Sequence, residues 1–147
     1  MAKITPYKIT LELLDSTKKT ELTDHLMHDL SMLNEQAFNS EFILLVRNES
    51  NQLLGGLNAI TSYGWLQIKV LWVRKAERRC KLGSQLMNTA TKRAKEIGCH
   101  GVWLDTSSPE AYAFYSTLGF ETFGTLINKP HQHPATHKRW MMRKEIK

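Results

Sequence analysis

WLQIKVLWVRKAERRCKLGSQLMNTATKRAKEIGCHGVWL, Trp65–Leu104, is the stretch whose reading decides the fold. Its first nine residues, Trp65–Val73, read as a strand, with Leu66, Ile68 and Val70 on one face by alternation. A basic turn follows. Leu82, Leu86, Met87, Ala90, Ala94 and Ile97 then recur at helical spacing, and Gly98 stands where a helix C-cap glycine belongs. Val102–Leu104 reads as a short buried strand. Strand, helix and strand in this order require a right-handed crossover and a parallel pair.

Outward toward the N-terminus, the pattern predicts two more strands, Phe42–Val46 and Leu53–Ser62. The turns at Asn48–Gln52 and Tyr63-Gly64 join them to Trp65–Val73 as an antiparallel meander, and Gly55-Gly56 allows a bulge. Tyr7–Leu13 alternates well enough for a first strand. Asp15, Ser16 and Thr17 offer N-caps to a helix from about Lys18 to Ala37, whose apolar face is Leu22, Leu26, Leu30, Leu33 and Ala37. Toward the C-terminus, Ser108-Pro109 forms an N-cap and N1 pair. A short helix bearing Ala111, Phe114, Tyr115 and Leu118 follows and ends at Gly119. Phe120–Leu126 and Trp140–Ile146 read as strands around a loop over 127–137. The expectation is one mixed α/β (α+β) domain over residues 1–147, with a mostly antiparallel sheet of about seven strands.

The 147 residues suit one ordinary domain with a core. Hydrophobic residues make up 41% and charged residues 23%, which excludes wholesale disorder. No apolar run approaches the roughly 18 residues that cross a bilayer, and the opening residues lack the pattern of a secretory signal. Two cysteines, Cys80 and Cys99, make no disulfide framework. Together these predict a cytoplasmic protein without membrane contact. The net charge is +6, but its distribution says more. Residues 1–73 carry six Lys/Arg against eight acids, whereas residues 74–96 carry eight (Arg74, Lys75, Arg78, Arg79, Lys81, Lys92, Arg93 and Lys95) against Glu77 and Glu96. A solvated basic helix face is one reading, and a phosphate site is the other.

The turn favours phosphate. Free N–H groups and the positive helix dipole converge where a helix opens near Gly83. Gly83 permits close backbone approach, Ser84 offers a hydroxyl, and Arg78, Arg79 and Lys81 surround the turn. Neither a P-loop nor a Rossmann fingerprint is present. Arg78-Arg79-Cys80-Lys81-Leu82-Gly83 resembles instead the [Arg/Gln]-x-x-Gly-x-[Gly/Ala] pyrophosphate turn of the GNAT N-acetyltransferase superfamily, with Lys81 replacing the middle glycine. Residues 108–120, Ser108-Pro109-Glu110-Ala111-Tyr112-Ala113-Phe114-Tyr115-Ser116-Thr117-Leu118-Gly119-Phe120, resemble that family's Asn-x-x-Ala-x-x-x-Tyr-x-x-x-Gly-Phe helix, with Ser108 at the asparagine position. The motifs lie in register, and the resemblance spans roughly residues 53–126.

The resemblance implies the GNAT fold and direct acetyl transfer from acetyl-CoA to a primary amine. It places the coenzyme on Leu71, Trp72, Val73, Arg78, Arg79, Cys80, Lys81, Leu82, Gly83, Ser84, Ser108, Ala111 and Tyr115. The pantetheine arm would pair with backbone near Leu71 and Val73, beside a bulge that splays the sheet. The N–H of Leu71 or Trp72 would polarise the thioester carbonyl. Tyr115 would donate to the leaving thiolate, although periodicity alone reads it as a core aromatic. For the base that neutralises the amine, Glu41, Asp105 and His137 are the candidates. Glu41 and His137 are also candidate acceptor contacts.

The acceptor implied is a small-molecule amine. A protein amino group, or a non-catalytic acyl-CoA sensor, stands as the alternative. A nucleic-acid-binding module ranks below these, because no helix-turn-helix, RRM aromatic pair or zinc spacing occurs. His131, His133 and His137 resemble a metal spacing, but a proline-interrupted loop with no nearby cysteine reads better as substrate-facing, so no metal is expected. Cys80, in basic surroundings, is a candidate reactive thiol. The four tryptophans read as core or sheet-packing residues. A homodimer accords with the family.

Overall fold

The computed structural model describes residues 7–33 and 39–147, which fall into two compact units, 1–35 and 36–147. In the first unit, α1 spans Ser16–Leu33. Asp15 Oδ1 accepts from Lys18 N at 2.8 Å, which satisfies one of the free donors at the helix start. The Leu22, Leu26, Leu30 and Leu33 stripe lies within this helix, and the predicted end at Ala37 falls outside the described residues. Tyr7–Leu13 is not a strand. Alternation makes a segment suitable for a sheet, but no described strand pairs with it, and an unpaired strand leaves its amides and carbonyls without a ladder.

The second unit holds β1 (Glu41–Arg47), β2 (Leu53–Ser62), β3 (Trp65–Val73), a 3₁₀ turn (Lys75–Glu77), α2 (Leu82–Ile97), β4 (Gly101–Thr106), α3 (Pro109–Thr117), β5 (Glu121–Ile127) and β6 (Lys138–Glu145). These make one six-stranded sheet in the order β1-β2-β3-β4-β6-β5, where about seven strands were expected. β1, β2 and β3 form the antiparallel meander, and β3 pairs with β4 in parallel. The last strand does not close an edge. It inserts between β4 and β5, antiparallel to both. In that place Met142, opposite Leu104, is fully buried.

Besides a register slip on β5 between Thr122 and Gly124, two irregularities shape the sheet. β2 and β3 slip register between Asn58 and Ala59, where Ala59 faces Ile68 and Asn58 faces Val70, so Lys69 is the extra residue of a bulge. The side-chain alternation reverses there. Leu66 and Ile68 are buried, but Val70 is exposed, and Leu71 and Val73 pack against the core in its place. The predicted grouping of Val70 with Leu66 and Ile68 therefore fails at one residue. The other slip, between Val46 and Arg47, leaves Leu54 extra beside Gly55, the neighbourhood where a bulge was expected.

The core lies between the sheet and its two helices. Leu86, Met87, Ala90 and Ala94 of α2 cluster with Leu57, Ala59, Leu66, Ile68, Val102 and Leu104. α3 joins the same face, with Tyr112 stacked on Trp140 at 4.8 Å and Tyr115 against Phe120 at 5.8 Å. Burial at this scale contributes roughly 25 cal/mol per Å² of apolar surface removed from water. Gly98 caps α2 at φ 105, accepting the left-handed conformation that a side chain resists. None of the tryptophans is fully buried, but Trp140 packs against the core, and Trp65 and Trp103 lie on sheet strands, as the core or sheet-packing reading expects. Trp72 is exposed, and Trp65, Trp103 and Trp140 are half-buried against His100, Phe123 and Tyr112. Among the described residues, no helix is long and apolar enough to cross a membrane.

Candidate active site

β3 and β4 pair only from Trp65–Gln67 to Gly101–Trp103. Beyond that point both strands continue, β3 to Val73 and β4 to Thr106, without pairing to each other. A slot therefore opens in the middle of the sheet from Ile68 onward, around the Lys69 bulge. Alternation of backbone groups says what faces it. Arg74 N donates to Leu54 O of β2 at 2.8 Å, so Trp72, two residues earlier, also turns its N–H and C=O toward β2. Leu71 and Val73 then turn theirs toward the slot. Of the two amides named from the sequence, that of Leu71 faces the slot and that of Trp72 faces β2.

A cleft of about 510 Å³ lies where the slot meets the N-termini of α2 and α3. Its lining includes Leu71, Trp72, Val73, Arg78, Arg79, Lys81, Leu82, Gly83, Ser84, Ser108, Ala111 and Tyr115, twelve of the thirteen residues named for the coenzyme. Cys80 does not line it, and its side chain is exposed. Glu77, Glu110 and Phe114 line it as well. Phe114 was legible as the partner of Ala111 at i+3 and the neighbour of Tyr115. The two carboxylates were not, because nothing in a basic segment marks which acid turns inward.

The turn is built from unusual backbone. Arg79 has φ 71, and Lys81, the N-cap of α2, has φ 62 and ψ 13. Lys81 thus takes the left-handed conformation that glycine adopts freely, with its amide retained at the helix start. Its side chain makes no cap hydrogen bond. Arg78 Nε donates to Val73 O at 3.0 Å, which ties that guanidinium to the end of β3 and leaves its terminal nitrogens for an anion. Gly83 matters for a second reason. A Cβ there would meet Phe114 Cζ at 3.3 Å, so the bare α-carbon lets α3 come close to α2.

α3 presents the phenol. Ser108 Oγ accepts from Ala111 N at 3.2 Å, Pro109 occupies the first turn, and Glu110 favours the positive helix end. Tyr115 lines the cleft while 7% exposed, so it serves both core and cleft. Burial pushes its pKa up to about 12, and among the described residues its hydroxyl has no hydrogen-bond partner. Burial also pushes the Cys99 thiol up.

The remaining candidates lie outside the cleft. Glu41 sits with Asn58 (3.3 Å) and Lys69 (3.8 Å). Asp105 accepts from Arg139 Nε at 2.8 Å, which raises the Arg139 pKa through that hydrogen bond and the carboxylate charge. His137 Nε2 lies 2.9 Å from Ser107 Oγ. Among the described residues, no three His, Cys, Asp or Glu side chains are grouped to hold a metal ion.

A splayed mixed sheet, with a basic turn feeding a helix beside the gap, is the architecture that the GNAT resemblance of the sequence implies. The family model of the GNAT acetyltransferases matches residues 8–120, and the chain belongs to that family. Over 83 residues it is 35% identical to the acetyltransferase Atu2258 of Agrobacterium fabrum and 34% identical to the blasticidin-S acetyltransferase of Streptomyces morookaense. Each match covers 56% of this chain and 61% of the relative, so it spans under two thirds of either curated protein. A crystal structure from Agrobacterium tumefaciens, of a protein assigned to the acetyltransferases, superposes with a TM-score of 0.81 at 25% identity, covering 96% of this chain and 100% of the other.

Proposed function

We propose that the protein is an acetyl-CoA-dependent N-acetyltransferase that passes an acetyl group directly to a primary amine of a small molecule. The observation that carries this reading is the slot between β3 and β4, which opens onto a cleft with cations at one end and a buried phenol in its wall. The family match over 8–120 supports one GNAT domain across the chain.

Arg78, Arg79, Lys81 and the first amides of α2 hold the pyrophosphate. They combine charge with donors whose helical partners are missing. The Leu71 and Val73 backbone, lacking a neighbour strand, hydrogen-bonds the pantetheine arm as a strand would. The Leu71 amide then faces the thioester oxygen, where negative charge develops as the amine attacks. The Tyr115 phenol, protonated throughout the neutral range, donates to the departing sulfur. A phenol at about 12 is a weaker acid than a thiol near 8.5, and that difference alone sets complete proton transfer about 5 kcal/mol uphill. The same cleft desolvates the thiolate and narrows the gap. Tyr115 therefore acts chiefly through its hydrogen bond.

The acceptor class is supported by the relative named as a blasticidin-S acetyltransferase. The test has two stages. Acetyl-CoA and CoA should raise the melting temperature, whereas a duplex oligonucleotide should not. Thiol release from acetyl-CoA is then followed with blasticidin S, kanamycin and spermidine as acceptors. Tyr115→Phe should lower turnover by about 10²-fold with the acetyl-CoA shift kept. A coenzyme shift without thiol release from any amine would mark a sensor, and no shift would end the proposal.

A further inference from the structure

We propose that Ser107 and His137 form the proton-accepting pair for the attacking amine, on the side of the slot away from α2 and α3. The inference rests on the acetyltransferase reading and assigns its missing base. It starts from strand alternation. Val102 and Leu104 of β4 are buried on the helix face, so Trp103, Asp105 and, one step past the strand, Ser107 point to the opposite face. On β6, Met142 faces the helices. Arg139 and, just before the strand, His137 therefore face the other way. The two contacts Arg139–Asp105 and His137–Ser107 are successive rungs on that face.

Position links this pair to the reacting centre. Ser107 directly precedes Ser108, which caps α3 and lines the coenzyme cleft. Two consecutive serines thus look to opposite sides, one into the cleft and one toward the imidazole. α2 and α3 cover the helix side of the sheet, so an acceptor reaches the slot from the side where Ser107 lies. His137 is held at both ends of its backbone. Its carbonyl accepts from Asn128 N at 2.8 Å, and its N–H donates to Pro134 O at 3.4 Å. Asn128 Nδ2 also donates to Pro134 O at 3.0 Å, which closes the loop over 128–137. His131 and His133 have no comparable side-chain partner among the described residues.

The other candidate bases are already engaged. Asp105 is bonded to a guanidinium, and Glu41 lies against Lys69 and Asn58. A neutral imidazole carries one donor and one acceptor nitrogen, so Nε2 can take a proton while Nδ1 keeps its own. With hydrogen on Nδ1, His137 Nε2 accepts from the Ser107 hydroxyl, whose oxygen is free to accept from the amine. As nitrogen bonds to the acetyl carbon and the carbon–sulfur bond breaks, the amine proton passes to Ser107 Oγ. The Ser107 proton passes to His137 Nε2. The thiolate takes up one proton by way of Tyr115 or water. Imidazolium on the exposed loop returns its proton to water, so the sum is amide plus thiol.

The test uses the whole chain, with acetyl-CoA and blasticidin S, kanamycin and spermidine as acceptors. His137→Gln should lower kcat by about 100-fold, with amine KM within threefold and the acetyl-CoA melting shift kept. Added imidazole should recover part of the rate. Ser107→Ala should also lower kcat, and the double variant should lose little beyond His137→Gln, because the two act as a unit. Lys92→Gln, on the exposed face of α2 and outside the cleft, serves as the control and should match the parent. A His137→Gln protein that keeps the coenzyme shift and turns over within threefold of the parent overturns the pair as base. So does a loss confined to KM, which would mark a binding contact. Absence of turnover in the parent itself would remove the acetyltransferase reading and this inference together.

Discussion

Replacing Lys81 by glycine should make the protein more stable and a poorer coenzyme binder at once. Lys81 sits at φ 62 and ψ 13, where an L side chain costs roughly 1–2 kcal/mol and glycine costs nothing. Glycine gives back roughly 0.5–1 kcal/mol through the greater freedom of the unfolded chain. The net gain is about 0.5–1 kcal/mol, a rise in melting temperature of about 2–3 °C for a chain of this size. The hydrogen bond from Gln85 N to Lys81 O is a backbone contact and survives the change. The lost ammonium lines the cleft but is exposed, so its contact with phosphate is screened. A charge-assisted bond discounted for exposure is worth about 1–2 kcal/mol, or a rise of roughly 5- to 30-fold in Kd. Calorimetric titration with CoA at low and high salt, beside thermal unfolding of the free protein, measures both effects. The affinity loss should shrink as salt rises. Lys81→Asn, which tolerates the same backbone without the charge, should weaken binding similarly. A lower melting temperature for Lys81→Gly would refute the strain argument. A Kd within twofold of the parent would refute the role of the charge.

Tyr115 offers a test in alkali. Its folded-state pKa is raised from 10 to about 12, so folding favours the protonated phenol. That stabilisation is fully present below pH 10 and is lost as pH rises through about 12, up to roughly 3 kcal/mol at 1.36 kcal/mol per unit. Chemical denaturation from pH 9 to 12 should show a fall in the parent that Tyr115→Phe lacks, and equal slopes would contradict the buried phenol. Ser108→Ala removes the cap of the helix that carries Tyr115. It should cost about 1 kcal/mol, measured by urea denaturation, and an unchanged midpoint would show that the cap carries no stability.

Much of the fold was legible because it is local. β2, β3 and α2 begin and end as their periodicity predicts, since burying one stripe of a helix or one face of a strand leaves a one-dimensional trace. Gly98 and Ser108 marked helix ends for equally local reasons, a left-handed carbon and a side-chain acceptor. The basic turn was legible as a cluster of like charges that a helix start could put to use. Tyr7–Leu13 shows the limit of such reading, because alternation reports which residues could share a face and not whether another strand is there to pair with.

What the chain itself determined is thus a strand, a charged turn and a helix in that order, with a tyrosine on the helix two elements later. Tertiary structure decided the rest. The bulge at Lys69 exchanged Val70 for Leu71 and Val73 on the core face, and it lies just ahead of the point where Leu71 turns its amide toward the slot. β6 entered beside β4 rather than at the edge, which brought His137 to Ser107 across thirty residues of sequence. Both outcomes depend on which strands are neighbours. Pairing energy belongs to two segments at once, so neither segment alone can encode it.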